Sequence, residues 1–173
     1  MPLEDDLLAD GDPEREFNPG IAGRLARKRV AGGALISDDA DRILFVEPMY
    51  KPYLEIPGGI ANSNESPRDA CRREVREELG IDLKIDRLLV VDWVPEHGVW
   101  DDGLMFIFSG GTATDAQVAS IRLPANELTA FKFLTLDEAV PMLKPSMARR
   151  LQLAWQARKD GGAPRYGEFG REN

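Results

Sequence analysis

Hydrophobic and polar residues alternate along the middle of the chain in a way that predicts strands with helices between them. Two apolar runs, residues 29–37 (RVAGGALIS) and 42–47 (RILFVE), flank an aspartate-rich turn and predict a β-hairpin. Other strands are predicted at residues 83–94, 103–109 and 128–134, with a short extended segment at 53–56. This succession indicates a layered domain of the α/β class.

Helical periodicity appears in three segments. The first follows Ser66, a residue type that caps helices, and has Pro67 at its first position and Gly80 placed to end it. Two more helices are predicted at residues 137–143 and 145–159. Gly32 and Gly33 interrupt the first predicted strand. Because no lysine followed by serine or threonine comes after them, they predict the close approach of a neighbouring element and not a phosphate loop.

The two ends of the chain differ from its middle. We predict an acidic flexible tail at residues 1–25, one domain at 26–160 and an irregular C-terminal tail at 161–173. The first 20 residues hold seven acidic side chains against Arg15 alone, so most of the net charge of −8 is local. A homodimer in which this tail covers the partner chain is left open by the sequence.

Composition excludes several classes of protein. Cys71 is the one cysteine and His97 the one histidine, which excludes an internal disulfide framework and a three-histidine zinc site. The acidic balance disfavours a stable nucleic-acid partner, because duplex-binding proteins usually carry a basic surface. No apolar run is long enough for a membrane span and no signal-peptide pattern is present, so the expected location is the cytoplasm.

Three glutamates share one side of the helix that follows Ser66. At about 100° per residue, Glu74, Glu77 and Glu78 lie within one arc, exposed beside an apolar stripe that starts at Cys71. Like charges at this spacing destabilise a helix, which indicates neutralisation by a cation. Carboxylates without histidine or cysteine partners favour Mg²⁺ or Mn²⁺. A solvated acidic face paired with arginines is the alternative that the glutamates alone leave open.

The spacing around these glutamates decides between the two interpretations. Residues 59–81 have the pattern G-x5-E-x7-R-E-V-x-E-E-x-G-I. This stretch resembles the signature box of the Nudix hydrolase family, MutT-like proteins included, at all nine specified positions. The preceding segment LEIPGG, residues 54–59, is also similar to that family. The resemblance extends over about residues 28–158 and implies a mixed, curved β-sheet sandwiched between α-helices, with the box as a loop–helix–loop.

The resemblance also implies an activity and a metal site. Nudix enzymes hydrolyse a nucleoside diphosphate linked to another moiety, here with Mg²⁺ or Mn²⁺ as the expected cofactor. Candidate substrates are oxidised or normal (d)NTPs, ADP-ribose, nucleotide sugars and dinucleoside polyphosphates. By position, the implied metal ligands are one backbone carbonyl and three carboxylates: Gly58, Glu74, Glu77 and Glu78. Arg73 would orient the glutamates, while Gly59 and Glu65 would support the loop.

The general base and the substrate pocket lie outside what the box determines. Glu74 and Glu127, which precedes the strand at 128–134, are both candidates for the base. Weaker candidates stand in the loop at 95–102: Glu96, Asp101 and Asp102. The candidates for substrate binding are four aromatic or basic residues: Tyr53, Lys51, Trp93 and Trp100.

Two other functions are compatible with a Nudix-like chain. A module that binds a nucleotide without turning it over usually lacks a box glutamate, whereas this chain keeps all of them. An isomerase of isoprenyl diphosphates normally needs a catalytic cysteine outside the box, and Cys71 lies inside it. The sequence therefore favours a pyrophosphohydrolase over both.

Overall fold

The computed structural model describes residues 3–12 and 15–172. The parts of the two predicted tails that fall on residues 1, 2, 13, 14 and 173 lie outside the described residues. The strands are β1 (Arg29–Ser37), β2 (Ile43–Pro48), β3 (Gly58–Ile60), β4 (Leu88–Val94), β5 (Gly103–Thr112), β6 (Leu128–Leu134) and β7 (Arg165–Glu168). The α-helices are α1 (Leu3–Ala9), α2 (Pro67–Leu79), α3 (Asp115–Ser120), α4 (Leu136–Ala139) and α5 (Pro145–Asp160).

The strands form one open, mixed sheet in the order β6–β2–β1–β5–β4–β7. The pairs β1–β5 and β4–β7 are parallel, and the other neighbours are antiparallel. β3 pairs with the first part of β1, whereas β2 meets β1 only where Ser37 opposes Ile43. Register shifts in three of the pairs bend the sheet. The predicted mixed, curved sheet is confirmed.

Gly32 and Gly33 let two neighbours approach β1 closely. A Cβ at Gly32 would lie 2.1 Å from the carbonyl oxygen of Pro67, and one at Gly33 would lie 2.9 Å from Ile56 Cδ1. The first turn of α2 therefore rests directly on β1, as the prediction of a close approach required.

Two hydrophobic layers hold α2 and α5 on opposite faces of the sheet. On one face α2 buries an apolar stripe that includes Cys71, Val75 and Leu79. On the other face α5 packs through Leu151 and Ala154. The predicted helices are thus placed as sheet-covering layers. No helix in residues 3–12 and 15–172 has both the length and the apolar character that crossing a membrane requires.

The ends of α2 follow the local signals in the sequence. The Ser66 hydroxyl accepts a hydrogen bond from the backbone N–H of Asp69 at 3.1 Å, which caps the helix. Gly80 ends it with φ 69°, in the left-handed region that favours glycine. The box is therefore the predicted loop–helix–loop, with its helix fixed at both ends.

Several predicted boundaries are wrong. The C-terminal segment is not wholly irregular, because β7 (Arg165–Glu168) pairs in parallel with β4. The strand predicted at 83–94 begins only at Leu88. Within the predicted domain two further elements are additional: β3, and α3 with a capping box between Thr114 and Gln117. In the predicted acidic tail, α1 forms a short helix from which Leu7 projects into solvent.

Candidate active site

The α2 glutamates lie against the backbone of β3. The N–H of Gly58 donates to Glu78 Oε2 at 2.8 Å, and only 7% of Glu78 is exposed. The sequence analysis placed Glu78 on an exposed flank, and this was wrong. Glu78 is covered because β3 pairs with β1 beneath α2, a long-range contact that the helical spacing does not contain, whereas Glu77 remains exposed as expected.

Gly59 provides room for the second box glutamate. A Cβ at this position would lie 2.5 Å from both Cδ and Oε1 of Glu74. Any other residue would displace the Glu74 carboxylate, so the first box glycine is needed for its missing side chain. The family resemblance implies that Gly59 supports the loop. In the structure Gly59 also lies directly against the carboxylate of Glu74, one of the expected metal ligands.

Arg73 joins the loop to the helix. Its guanidinium donates to both Glu65 oxygens at 2.9 Å, to Glu74 Oε1 at 2.7 Å and to Glu77 Oε2 at 3.0 Å. A further bond of 3.1 Å reaches the carbonyl of Ile60. The pKa of Glu65 falls to about 2, chiefly through the Arg73 hydrogen bonds and then through the N–H of Asn62. Arg73 thus positions the glutamates, and Glu65 positions Arg73.

The electrostatics of the site centre on Glu78. Burial raises the pKa of its carboxyl to about 8, and the hydrogen bond from Gly58 only partly opposes this. Neighbouring carboxylate charges raise it further: Glu74, Glu127 and Glu55. Glu127, predicted from the loop before β6, therefore lies near enough to Glu78 for its charge to act on that carboxyl.

Glu55 is a site residue that the sequence analysis missed. It stands in the LEIPGG segment and exchanges backbone hydrogen bonds of 2.8 and 3.1 Å with Val46. Its Oε1 accepts a hydrogen bond from Lys51 Nζ at 2.7 Å. In the sequence, only its position three residues before Gly58 indicates that Glu55 could belong to the site. In the structure, Glu55 is bridged to Val46 of β2, and its negative charge contributes to the raised pKa of Glu78.

The four candidates for substrate binding fall into two groups. Lys51 contacts Glu55 and so lies beside the glutamates that surround Glu78. Tyr53, two residues further along the chain, is 40% exposed. Trp93 on β4 and Trp100 in the following loop form the second group. Trp93 donates its indole N–H to Asp102 at 3.0 Å. No contact within residues 3–12 and 15–172 joins either indole to a box glutamate.

The residues present fit a hard divalent cation. Among the described residues, no group of three acidic, histidine or cysteine side chains is arranged so that it could hold a metal ion. Glu74 and Glu77 instead form ion pairs with Arg73. The donors are nevertheless all oxygens, as Mg²⁺ and Mn²⁺ prefer. Glu78 is buried and makes no ion pair in the described chain, so no positive side chain there neutralises its carboxylate. A divalent ion would offset the repulsion among these carboxylates.

Comparisons with known proteins identify the family and the fold. Residues 27–154 match the family model of the NUDIX domain. A MutT-like protein from Streptomyces ambofaciens is 28% identical over 123 residues, which cover 69% of this chain and 71% of that protein. The fold is similar to a UDP-X diphosphatase, with a TM-score of 0.68 and 19% identity over 95% of this chain and 81% of that one. The fold is also similar to an ADP-ribose pyrophosphatase from Streptococcus suis, with a TM-score of 0.61 and 21% identity over 82% of this chain and 99% of that one.

Proposed function

The chain belongs to the NUDIX hydrolase family, and we propose that it is a Mg²⁺-dependent pyrophosphohydrolase of nucleoside diphosphates linked to another moiety. The observation that carries the proposal is the buried Glu78 carboxylate, held by Gly58 and surrounded by other carboxylates without a cation partner in the described chain. Mn²⁺ is a second cation that the same oxygens suit.

The proposed metal ligands are the Gly58 carbonyl and the carboxylates of the box helix: Glu74, Glu77 and Glu78. When bound there, Mg²⁺ offsets charge on the diphosphate and lowers the pKa of a coordinated water. Arg73 holds Glu74 and Glu77 toward the loop, and Glu65 fixes Arg73 in turn. Gly59 keeps the space that Glu74 occupies.

For the general base, we propose Glu127, with Glu74 as the alternative. Glu127 lies close enough to raise the pKa of Glu78 and makes no ion pair in the described chain, whereas Glu74 is bound by Arg73. A carboxylate without a cation partner is better able to accept a proton from water. We expect Glu127→Gln to lower kcat by about 10²-fold or more with KM little changed. A larger loss in Glu74→Gln, with Glu127→Gln near wild type, would assign the base to Glu74.

Substrate contacts are proposed on both sides of the box. Lys51 and Tyr53 stand beside Glu55 and would contact a phosphate and a base or sugar. On the other side Trp100 offers an exposed ring, while Trp93 supports the same loop through Asp102. The related structures are named for a UDP derivative and for ADP-ribose, which supports a substrate of this general kind.

The test is release of phosphate or nucleotide from purified protein with Mg²⁺, over a panel of the substrates named above. We expect turnover of at least one nucleoside diphosphate derivative, its loss in excess chelator and its return with Mg²⁺ or Mn²⁺. Nucleotide binding without turnover on any substrate would instead support the alternative function, a non-catalytic nucleotide-binding module. Full activity in chelator, with no metal bound, would contradict the proposed metal dependence.

A further inference from the structure

A second concave surface lies beside the box loop, and we call it the basic groove. It is a cavity of about 420 Å³ between residues 60–65 and the first residues of β1, with Leu104 and Phe106 of β5 in its lining. Arg27, Lys28 and Arg29 supply its basic side chains. This groove is separate from Glu55 and Glu127, because none of its lining residues comes from residues 43–57 or 108–172.

Two positive charges in the basic groove are uncompensated. Lys28 is paired with Asp102, and the one acidic lining residue, Glu65, is paired with Arg73. Arg27 and Arg29 have no ion pair within residues 3–12 and 15–172. In a chain with a net charge of −8, which has many acidic groups that could pair with them, two unpaired arginines on one cavity point to an anionic ligand.

Arg29 is held in place without using its hydrogen-bonding capacity. The centre of its guanidinium lies 4.9 Å from the centroid of the Trp100 ring, a cation–π distance. Its Nε is buried and has no hydrogen-bond partner in the described chain. Stacking therefore orients the group. Nε is closed to a ligand by its burial, whereas the two terminal nitrogens make no hydrogen bond or ion pair in the described chain and remain available. Planar guanidinium groups bind phosphate oxygens through pairs of such donors.

The groove is joined directly to the box. Ile60 and Glu65 both line it, and the Ile60 carbonyl and the Glu65 carboxylate accept hydrogen bonds from Arg73, which also contacts Glu74. Arg73 thus contacts two residues that line the groove and one proposed metal ligand. The groove is therefore the surface next to the box on which a further phosphate of a nucleotide bound at the glutamates would lie.

We propose that the basic groove binds a phosphate that the substrate carries in addition to the diphosphate that is cleaved. The inference rests on the proposed function and makes nucleoside triphosphates or dinucleoside polyphosphates the preferred substrates within its class. ADP-ribose and nucleotide sugars have only two phosphates and would leave Arg27 and Arg29 unused.

The first test compares KM among substrates in three variants. We expect Arg29→Ala and Arg27→Ala to raise KM for ATP or diadenosine tetraphosphate about tenfold or more, with kcat nearly unchanged, because each removes charge-assisted hydrogen bonds. KM for ADP-ribose and UDP-glucose stays as in wild type. The matched control is Arg42→Ala, which removes an exposed arginine at the opposite end of β1. A larger effect on diadenosine tetraphosphate than on ATP identifies the longer polyphosphate as the ligand.

Equal KM increases for all four substrates, or none for any, would overturn the proposal. Arg27 is exposed and unpaired in the described chain, so Arg27→Ala keeps the test informative should Arg29→Ala fail to fold. Thermal unfolding of each variant checks this.

A second measurement separates failure of the groove from failure of the proposed function. Calorimetric binding of ATP and ADP is measured in a Glu78→Gln background, where turnover is not needed. We expect ATP to bind at least about tenfold more tightly than ADP, and Arg29→Ala or Arg27→Ala to remove the difference. Equal affinities in that background would reject the groove even if the wild type proves to be a hydrolase. Tighter ATP binding by a chain that turns nothing over would reject only the hydrolysis.

Discussion

Two buried acidic side chains, Glu78 on α2 and Asp92 on β4, have opposite electrostatic surroundings. Asp92 is fully buried, and its Oδ2 accepts a hydrogen bond of 2.7 Å from Nε of Arg150 on α5. The same oxygen lies 2.6 Å from Arg150 Nη2 in an ion pair. Asp92 Oδ1 accepts the N–H of Gly170 at 2.7 Å. Glu78 is also buried, but within the described chain its carboxylate accepts a hydrogen bond only from the N–H of Gly58, and its pKa rises to about 8.

The difference distinguishes a carboxylate that is neutralised within the fold from a proposed metal ligand. Asp92 is neutralised within the fold and ties α5 and the segment after β7 to the centre of the sheet. Glu78 is surrounded by other acidic groups, so its burial lowers stability unless a cation binds. Burial of an uncompensated carboxylate is destabilising, and such arrangements are expected at functional sites, where other interactions in the fold offset the lost stability. The two sites should therefore respond to substitution in opposite ways.

The largest expected effect is on stability, at the structural site. Arg150→Met leaves the Asp92 carboxylate buried without its cation, and we expect the free energy of unfolding to fall by about 3–5 kcal/mol. Denaturant titration measures the loss. Activity per folded molecule stays close to wild type, because α5 and α2 cover opposite faces of the sheet.

A double variant distinguishes the unpaired charge from simple loss of packing. Asp92→Asn combined with Arg150→Met removes both charges, and we expect it to be more stable than Arg150→Met alone. If the double variant is less stable than either single one, the pair contributes mainly through shape, and the contrast with Glu78 is not electrostatic.

The second effect is on turnover, at the functional site. We expect Glu78→Gln to lower kcat at least about 100-fold. Substitution of residues that only support the metal ligands of an enzyme already lowers activity by up to about that factor. The fold is retained because the amide oxygen can still accept the Gly58 N–H. Glu172→Gln makes the same chemical change at an exposed position and serves as the control. Wild-type activity in Glu78→Gln would exclude this residue as a metal ligand.

The parts of the molecule that were predictable have local signals. β1 and β6 occupy the predicted ranges, and α2 has the predicted cap at Ser66 and the predicted end at Gly80. Strand alternation, caps and turn glycines act over a few residues, so a single sequence displays them. The box also has fixed spacing, which is why its glutamates and Arg73 were identified together before their contacts were known.

The parts that were missed depend on distant contacts. β7 has little strand character of its own and contains Gly167, at which a Cβ would lie 2.8 Å from Asp92 Oδ1. The burial of Glu78 follows from the pairing of β3 with β1, and the proximity of Glu55 follows from its bridge to Val46. Periodicity along the chain does not encode which segments meet across the sheet.

The smallest of these effects, and the sharpest comparison of the two sites, is the pH dependence of stability without metal. The pKa of Glu78 is about 8 in the folded chain and near its ordinary value of 4.5 when unfolded. The unfolded chain therefore releases this proton first, and the contribution of Glu78 to stability falls as pH rises from about 4.5 to 8. Glutamine is neutral throughout, so in chelator we expect Glu78→Gln to be more stable than wild type by at least about 2 kcal/mol at pH 8, and about equal at pH 4. Denaturant titrations across this range measure the difference, and Mg²⁺ at pH 8 should stabilise the wild type while leaving Glu78→Gln nearly unchanged. A constant difference across pH, or a less stable Glu78→Gln at pH 8, would mean that Glu78 is as well compensated within the fold as Asp92.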